Sequence, residues 1–488
     1  MSDLTKLTIV EARKKLDARE ISAVDLASAY LDEIRKKDGE ILAYREVYED
    51  VLEQARMADE RIAAGEVATA SAGSREGGSE MLGIPIAVKD IILVKGKKAT
   101  AGSKILEGYV APYDSSVISS LKKSGAVFLG RTNQDEFAMG SSGETSAYAT
   151  SRNPHDLSRV PGGSSSGSAA AVAGNMAIAS LGTDTGGSIR QPASLCGIVG
   201  IKPTYGTVSR YGIIALASSL DQVGPFAHTV ADAEIIFKVI SGYDPKDSTN
   251  VPIEKRIKPN LPKNGKRLGV PRSLMREGLD KEVAENFEAT LSLLAKKGYE
   301  IVDVELPNLH YSLPAYYIIQ PAEASANLAR FDGMKYGLSV PSASLIDVYK
   351  KTRGEGFGRE VRRRILLGTY VLSSGYHDAY YGKACAVREL IKSDFVRVFR
   401  EVDAIVTPTA PSPAFKVGEK MDDPVAMYLQ DIFTVSGNIA GIPGISVPSG
   451  TVSVEGKDLP LGFQIFGPWF GEEMLFKIGK DVEGAGER

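Results

Sequence analysis

The chain has 488 residues, 43% of them hydrophobic and 24% charged, with a formal net charge of −3. This is the balance of an ordinary globular protein with enough apolar residues for a large core, and length alone leaves open one large domain or two or three average ones. A charge so close to zero excludes a general attraction to nucleic acid or anionic membrane, so any RNA has to be met through a local basic patch or another protein chain.

The first sixty residues read as helices. Thr8 and Glu11 form a capping-box pattern, and Ser22 followed by Asp25 opens a second apolar-periodic run through Val24 and Leu31. Residues 64 to 80 are small and polar, with almost nothing to bury, and read as a flexible excursion. The run from Gly83 to Val94 is apolar and β-branched on both faces, as in a central strand of a covered sheet, interrupted by Lys89 and Asp90. Residues 114 to 130 read as a helix and a strand with Gly125 as the stop. A second such unit places a helix after Asp280, with Val283, Phe287, Leu291 and Leu294 on one face, ends it at Gly298 and follows it with a strand. Residues 244 to 266, rich in Pro and charge, read as a linker or long surface connection. From Asp403 onward strand-and-turn composition resumes, so C-terminal strands are expected to close the sheet. The alternation predicts an α/β fold: one domain over residues 1–488, with N-terminal helices over about 1–60, a catalytic core over about 80–235, and the remainder completing sheet and substrate pocket.

Cys196 and Cys385 are too few for a disulfide framework and fit a reducing compartment. The start of the chain has neither signal nor transit character, and no stretch reaches the roughly 18 apolar residues of a membrane span, so a cytoplasmic location is expected. His155, His228, His310 and His377 are scattered without partners at ligand spacing, which argues against a zinc site.

Two glycine-serine segments stand out: Pro161 to Ser168, leading into a small-residue helix, and Asp184 to Arg190. Each abuts an apolar strand and a helix start, where a flexible linker serves no purpose. Glycines there let backbone N–H groups converge on one point, suited to a phosphate or an oxyanion. A phosphate-binding loop needs a lysine after its last glycine, and neither segment has one. Gly163 to Gly167 formally fits the nucleophile elbow of an α/β-hydrolase, with Ser165 as nucleophile, but that arrangement also needs a late histidine, and the last one, His377, sits in a helix-like context.

A neutral lysine can replace histidine as the base of a serine hydrolase. Lowering a lysine from roughly 10.4 to near 7 takes about 4 kcal/mol of differential solvation, which burial can supply. Lys89 sits among Ile84, Ile86, Val88, Ile91 and Ile92, and Asp90 points to the opposite face of the strand. Taken by itself, Lys89 reads better as a strand-end lysine snorkelling to solvent.

Taken together, the strand with Lys89, the segment GGSSSGSAAAV and the segment TDTGGSIRQPAS resemble the amidase-signature family in order and separation. The resemblance implies a single amidase-signature domain with a large mixed, twisted sheet covered by helices on both faces. It further implies a Ser-cisSer-Lys mechanism in which Lys89 is the base, Ser164, after a cis peptide bond, relays the proton, and Ser188 is the nucleophile. The backbone N–H groups of Thr185, Gly186, Gly187 and Ser188 are expected to hold the oxyanion, with Ser165 and Arg190 supporting the geometry.

Residues 209 to 225 and the run EVRRRILLGTYVLSSGYHDAYY from Glu360 resemble, within that family, the A subunits of tRNA-dependent amidotransferases. Such a protein hydrolyses L-glutamine and passes ammonia to a B subunit, which amidates mischarged Glu-tRNA(Gln) or Asp-tRNA(Asn), while a small C subunit wraps around the glutaminase. ATP and magnesium then belong to the partner's chemistry, and this chain needs no cofactor or metal. Glutamine carries a carboxylate and an ammonium beside its amide, so a selective site offers one Arg and one Asp or Glu. The resemblance assigns Arg364, or Arg363 by a one-residue slip, to the carboxylate and Asp431 to the ammonium, with Tyr316 lining the pocket. At least one of Arg362 to Arg364 is expected on a solvated basic face. The alternative within the family is a stand-alone amidase acting on small or aryl amides.

Overall fold

The computed structural model describes residues 3–66, 80–257, 265–275 and 278–486. Most of the polar excursion expected over 64–80, and residues 258–264 of the expected connection, lie outside them. Both N-terminal capping boxes form: Thr8 and Glu11 exchange hydrogen bonds at the head of helix Ile9–Asp17, and Ser22 and Asp25 do so at helix Ala23–Ile41. Each leaves one apolar face, carrying Ile9, Ala12 and Leu16 in the first and Leu26, Ala27 and Tyr30 in the second, and these side chains join the main hydrophobic core.

Eleven strands form one mixed sheet. In chain order they are β1 (Tyr44–Val47), β2 (Pro85–Lys89), β3 (Val127–Thr132), β4 (Ala179–Asp184), β5 (Val199–Lys202), β6 (Gln222–Ala227), β7 (Arg267–Val270), β8 (Glu300–Asp303), β9 (Ala404–Pro408), β10 (Gly444–Val454) and β11 (Lys457–Phe466). Their spatial order is β1-β3-β2-β4-β6-β5-β10-β11-β9-β7-β8. The neighbours β3, β2 and β4 run parallel, as do β8, β7 and β9, while every pairing between these trios is antiparallel. All residues of β2 to β6 and of β9 are buried. Because successive side chains point to opposite faces, both faces of these strands must be covered. Exposure appears in β1 and β8 at the ends of the sheet and where β10 and β11 meet in their hairpin.

The outcome departs from the sequence reading at four points. β2 is five residues long and stops at Lys89, where the chain turns instead of continuing to Val94. The C-terminal strands β10 and β11 lie in the middle of the sheet, between β5 and β9, because their apolar residues need cover on both sides. Asp280 stands at the start of helix Lys281–Lys296 without a side-chain capping bond. Within the connection over 244–266, Asp247 and Asn250 are buried: Asp247 accepts from Arg210 N–H at 2.8 Å and Asn250 Nδ2 donates to Gly206 O at 3.0 Å, which ties the described part to the core. No helix among the described residues is long and apolar enough to cross a membrane.

Candidate active site

Open parallel sheets present functional groups at the carboxyl ends of their strands. Here the parallel trio delivers Lys89 at the end of β2 and Asp184 at the end of β4, while β3 runs out into Asn133, Gln134 and Asp135. Pro161 to Ser165 passes across these ends and enters helix Ser166–Ala173, which packs on β2, β3 and β4. The peptide bond between Gly163 and Ser164 is cis.

Lys89 Nζ lies 2.8 Å from Ser164 Oγ, 2.8 Å from Ser165 Oγ and 2.9 Å from Thr183 Oγ1. All four side chains are buried. Burial brings the Lys89 ammonium down to about 7 against the pull of Asp135, Asp184 and Asp221. The surroundings also orient its lone pair. Ser165 donates its own proton to Thr183 O at 3.1 Å, so its oxygen is an acceptor for Lys89. A neutral lysine has two N–H groups, which Ser165 and Thr183 can accept, leaving the lone pair for the Ser164 hydroxyl. Enclosed in this way, the Ser165 hydroxyl is out of reach of a substrate. His377 pairs with Asp378 at the exposed start of the π-helix His377–Gly382, so the histidine-serine arrangement of an α/β-hydrolase does not assemble.

Ser188 lies beside this cluster, its carbonyl accepting the Ser165 N–H at 3.3 Å. It keeps 8% of its surface exposed, while Lys89 and Ser164 keep none. Its hydroxyl makes no hydrogen bond to Ser164 among the described residues. The loop before Ser188 is shaped by Asp184, which accepts from the N–H groups of Gly187 at 2.9 Å and Ile189 at 3.2 Å. Gly187 therefore departs from the expected oxyanion set, because its N–H is already taken. Those of Thr185, Gly186 and Ser188 have no acceptor among the described residues. The two glycines are steric requirements: a Cβ on Gly186 would stand 2.7 Å from the Tyr316 ring, and Gly187, at φ +141°, would place one 2.2 Å from Thr434 Oγ1.

Arg190 holds Asp184 through Nε and Nη2, both at 3.0 Å, and also donates to Thr434 O, Gln464 Oε1 and Asn438 Oδ1. Burial pushes the Asp184 carboxyl up, but Arg190, Lys202 and Asn438 outweigh it and carry it down to about 2. Asp184 thus stays ionised and available to its backbone donors. On the other side of the loop, Thr185 Oγ1 donates to the buried Asp221 at 2.7 Å.

The residues expected around a glutamine divide. A cavity of about 230 Å³ is lined in part by Glu136, Ser141, Glu360, Arg363, Arg364 and Tyr428. Arg364 is buried, with its guanidinium 5.4 Å from the ring centre of Tyr317 and 5.5 Å from that of Tyr428. It already donates to Glu360 at 2.8 Å and to Gln320 at 2.8 Å. Arg363 pairs with the same glutamate from a more exposed position, and Arg362 is the solvated arginine of the three. Asp431 stands behind the cavity wall and accepts the Ser141 hydroxyl at 2.6 Å; burial lifts it to about 7 against that bond and Arg364. Tyr316 covers Gly186, and burial pushes its phenol well up.

The sequence pattern did not single out Thr183, Asp184, Ser141, Glu136 or Glu360. Asp184 carried a legible signal, an acidic residue three positions before a glycine at a helix start. The others became visible only in three dimensions. Among the described residues no group of three His, Cys, Asp or Glu could hold a metal ion.

A family model described as Amidase matches residues 25–476. The chain is 50% identical over 489 residues to the A subunit of the glutamyl-tRNA(Gln) amidotransferase of Desulfatibacillum aliphaticivorans, spanning 99% of this chain and 98% of that one. It is 51% identical to the protein of the same name from Koribacter versatilis, with 99% of each covered. The crystal structure of the glutamyl-tRNA(Gln) amidotransferase A subunit from Thermotoga maritima superposes with a TM-score of 0.77 at 41% identity, covering 100% of this chain and 96% of that one. The native peptide amidase of Stenotrophomonas maltophilia also matches with a TM-score of 0.77, at 28% identity, over 98% and 96% of the two chains.

Proposed function

The chain belongs to the amidase family, and from that premise we propose that it is the glutamine-hydrolysing component of a tRNA-dependent amidotransferase. It supplies ammonia for converting Glu-tRNA(Gln), Asp-tRNA(Asn) or both to their amidated forms in the cytoplasm. Two partner chains, the B and C subunits, complete the enzyme: the first binds the mischarged tRNA and uses ATP and magnesium, and the second, a small one, wraps around this chain. Half-identity along nearly the whole length to proteins bearing that name supports the reading.

The observation that carries the chemistry is the buried lysine 2.8 Å from Ser164, brought by its surroundings to about 7. Neutral Lys89 accepts the Ser164 proton, Ser164 accepts that of Ser188, and Ser188 Oγ attacks the carboxamide carbon. The N–H groups of Thr185, Gly186 and Ser188 stabilise the oxyanion, with Asp184 and Arg190 fixing the loop that presents them. Running the relay backwards protonates the departing nitrogen, which leaves as ammonia. Water then adds to the acyl-Ser188 by the same base, and glutamate is released with Ser188 regenerated. Arg364 holds the substrate carboxylate and Asp431 the ammonium, so the Glu360 contact of Arg364 is shared or displaced when glutamine enters.

Purifying the tagged chain from its own cells, with glutaminase assays with and without mischarged tRNA, tests the assignment. Two co-purifying chains and a glutaminase raised by mischarged tRNA are expected. A chain that purifies alone and hydrolyses aryl amides at full rate overturns it.

A further inference from the structure

Gln191 follows Arg190 in helix Arg190–Cys196 and is fully buried. Its amide spans two other segments. Oε1 accepts the N–H of Gly163 at 3.0 Å, and Nε2 donates to Ser141 O at 2.9 Å. The Ser141 hydroxyl in turn donates to Asp431 at 2.6 Å. Gly163 is the residue joined to Ser164, so a continuous path of hydrogen bonds runs from Asp431 through Ser141 and Gln191 to the backbone that carries Ser164.

The path is tightly packed. A Cβ on Gly162 would stand 2.4 Å from Gln191 Oε1, and one on Gly163 would stand 2.1 Å from Asp135 Oδ2 and 2.7 Å from Ser142 N. Asp135 braces the same two segments, accepting the Gly143 N–H at 3.0 Å while its own N–H donates to Ser164 O at 3.1 Å. A close-packed interior transmits a displacement instead of absorbing it. Rotating the Gln191 amide by half a turn would set carbonyl against carbonyl at Ser141 and N–H against N–H at Gly163, so it is held in one orientation.

We propose that Gln191 is a positioning residue that couples occupancy of Asp431 by a substrate ammonium to the placement of Ser164. Glutamine thereby turns over faster than an amide that lacks the ammonium. The inference rests on the catalytic and ammonium-binding roles proposed above.

The test uses the assembled enzyme and two substrates, glutamine and glutaramic acid, which keeps the amide and the carboxylate but lacks the ammonium. In Gln191→Met the ratio of kcat for glutamine to kcat for glutaramic acid is expected to fall about tenfold, within the usual range of coupling between sites. Ser141→Ala, which keeps the carbonyl bonded to Gln191 but removes the hydroxyl bonded to Asp431, is expected to lower the same ratio, and it decides the matter if Gln191→Met fails to fold. Equal losses with both substrates, or an unchanged ratio in Ser141→Ala, overturn the coupling. Ser188→Ala serves as the separate control: retained glutaminase there defeats the proposed catalytic roles themselves.

Discussion

Arg190 meets Asp184 through two hydrogen bonds of 3.0 Å, with both side chains fully buried. The pair is a hinge point of the site, since Asp184 organises the loop before Ser188 and Arg190 ties it to Thr434, Asn438 and Gln464. Removing one partner of a buried ion pair leaves an uncompensated charge, at about 3–5 kcal/mol. Arg190→Met is therefore expected to lower unfolding free energy by that amount in chemical denaturation. Arg190→Lys should recover little, because an ammonium cannot reproduce the planar fork.

Lys89→Met is expected to reduce kcat for glutamine by roughly 10²- to 10⁴-fold, the contribution of a positioned general base. Thermal melting should show a folded enzyme, since an apolar side chain suits the buried site. A loss smaller than tenfold would mean that another group takes the proton.

The acid limb of the pH profile carries a signature of two groups. In the proposed roles Lys89 works only when neutral and Asp431 holds an ammonium only when ionised, and both sit at about 7. Both requirements fail as pH falls, so log kcat/KM for glutamine should drop with a slope approaching two below pH 7. A simple amide without the ammonium needs only neutral Lys89 and should fall with a slope of one. Identical slopes for the two substrates would remove Asp431 from the recognition step.

Asp431→Asn keeps an acceptor for Ser141 but loses the charge. A hydrogen bond to a charged group contributes about 1.5–3 kcal/mol, so KM for glutamine should rise about ten- to a hundredfold. KM for a simple amide should change little. Steady-state kinetics with both substrates decides the point, and equal increases would exclude the assignment.

Thr183→Val replaces a hydroxyl 2.9 Å from Lys89 Nζ by a methyl group of similar shape. The ammonium form loses more from a missing acceptor than the neutral amine does, so the acid limb should move to lower pH. Poorer orientation of the lone pair should lower the plateau about tenfold, at the lower end of general-base effects. A lower plateau with an unmoved limb would leave Thr183 a packing role only.

Much of this arrangement was legible in the residues, and for physical reasons. Capping boxes at Thr8 and Ser22 are local, satisfied within one turn, so the sequence announces them. Lys89 and the two glycine-serine segments were legible because a charged residue in an apolar strand and glycines at helix starts are each costly unless used. The central position of β10 and β11 was not legible, since strand order depends on which distant partners cover which face. Nor was the engagement of Arg364 by Glu360 or of Asp431 by Ser141. These pairings join segments or reuse groups whose types fit several partners, and only the folded geometry selects among them.

The position of β11 sets a clock on the enzyme's birth. Arg190 lies in the first half of the chain, yet one of its acceptors is Gln464, near the other end. During synthesis, which proceeds at about 5–20 residues per second, the first half emerges long before that acceptor exists. Until β11 inserts between β10 and β9, the Arg190 guanidinium lacks a full set of partners and the loop bearing Ser188 lacks its anchor. The loop that carries Ser188 is thus anchored in full only once strands from the far end of the chain have joined the sheet.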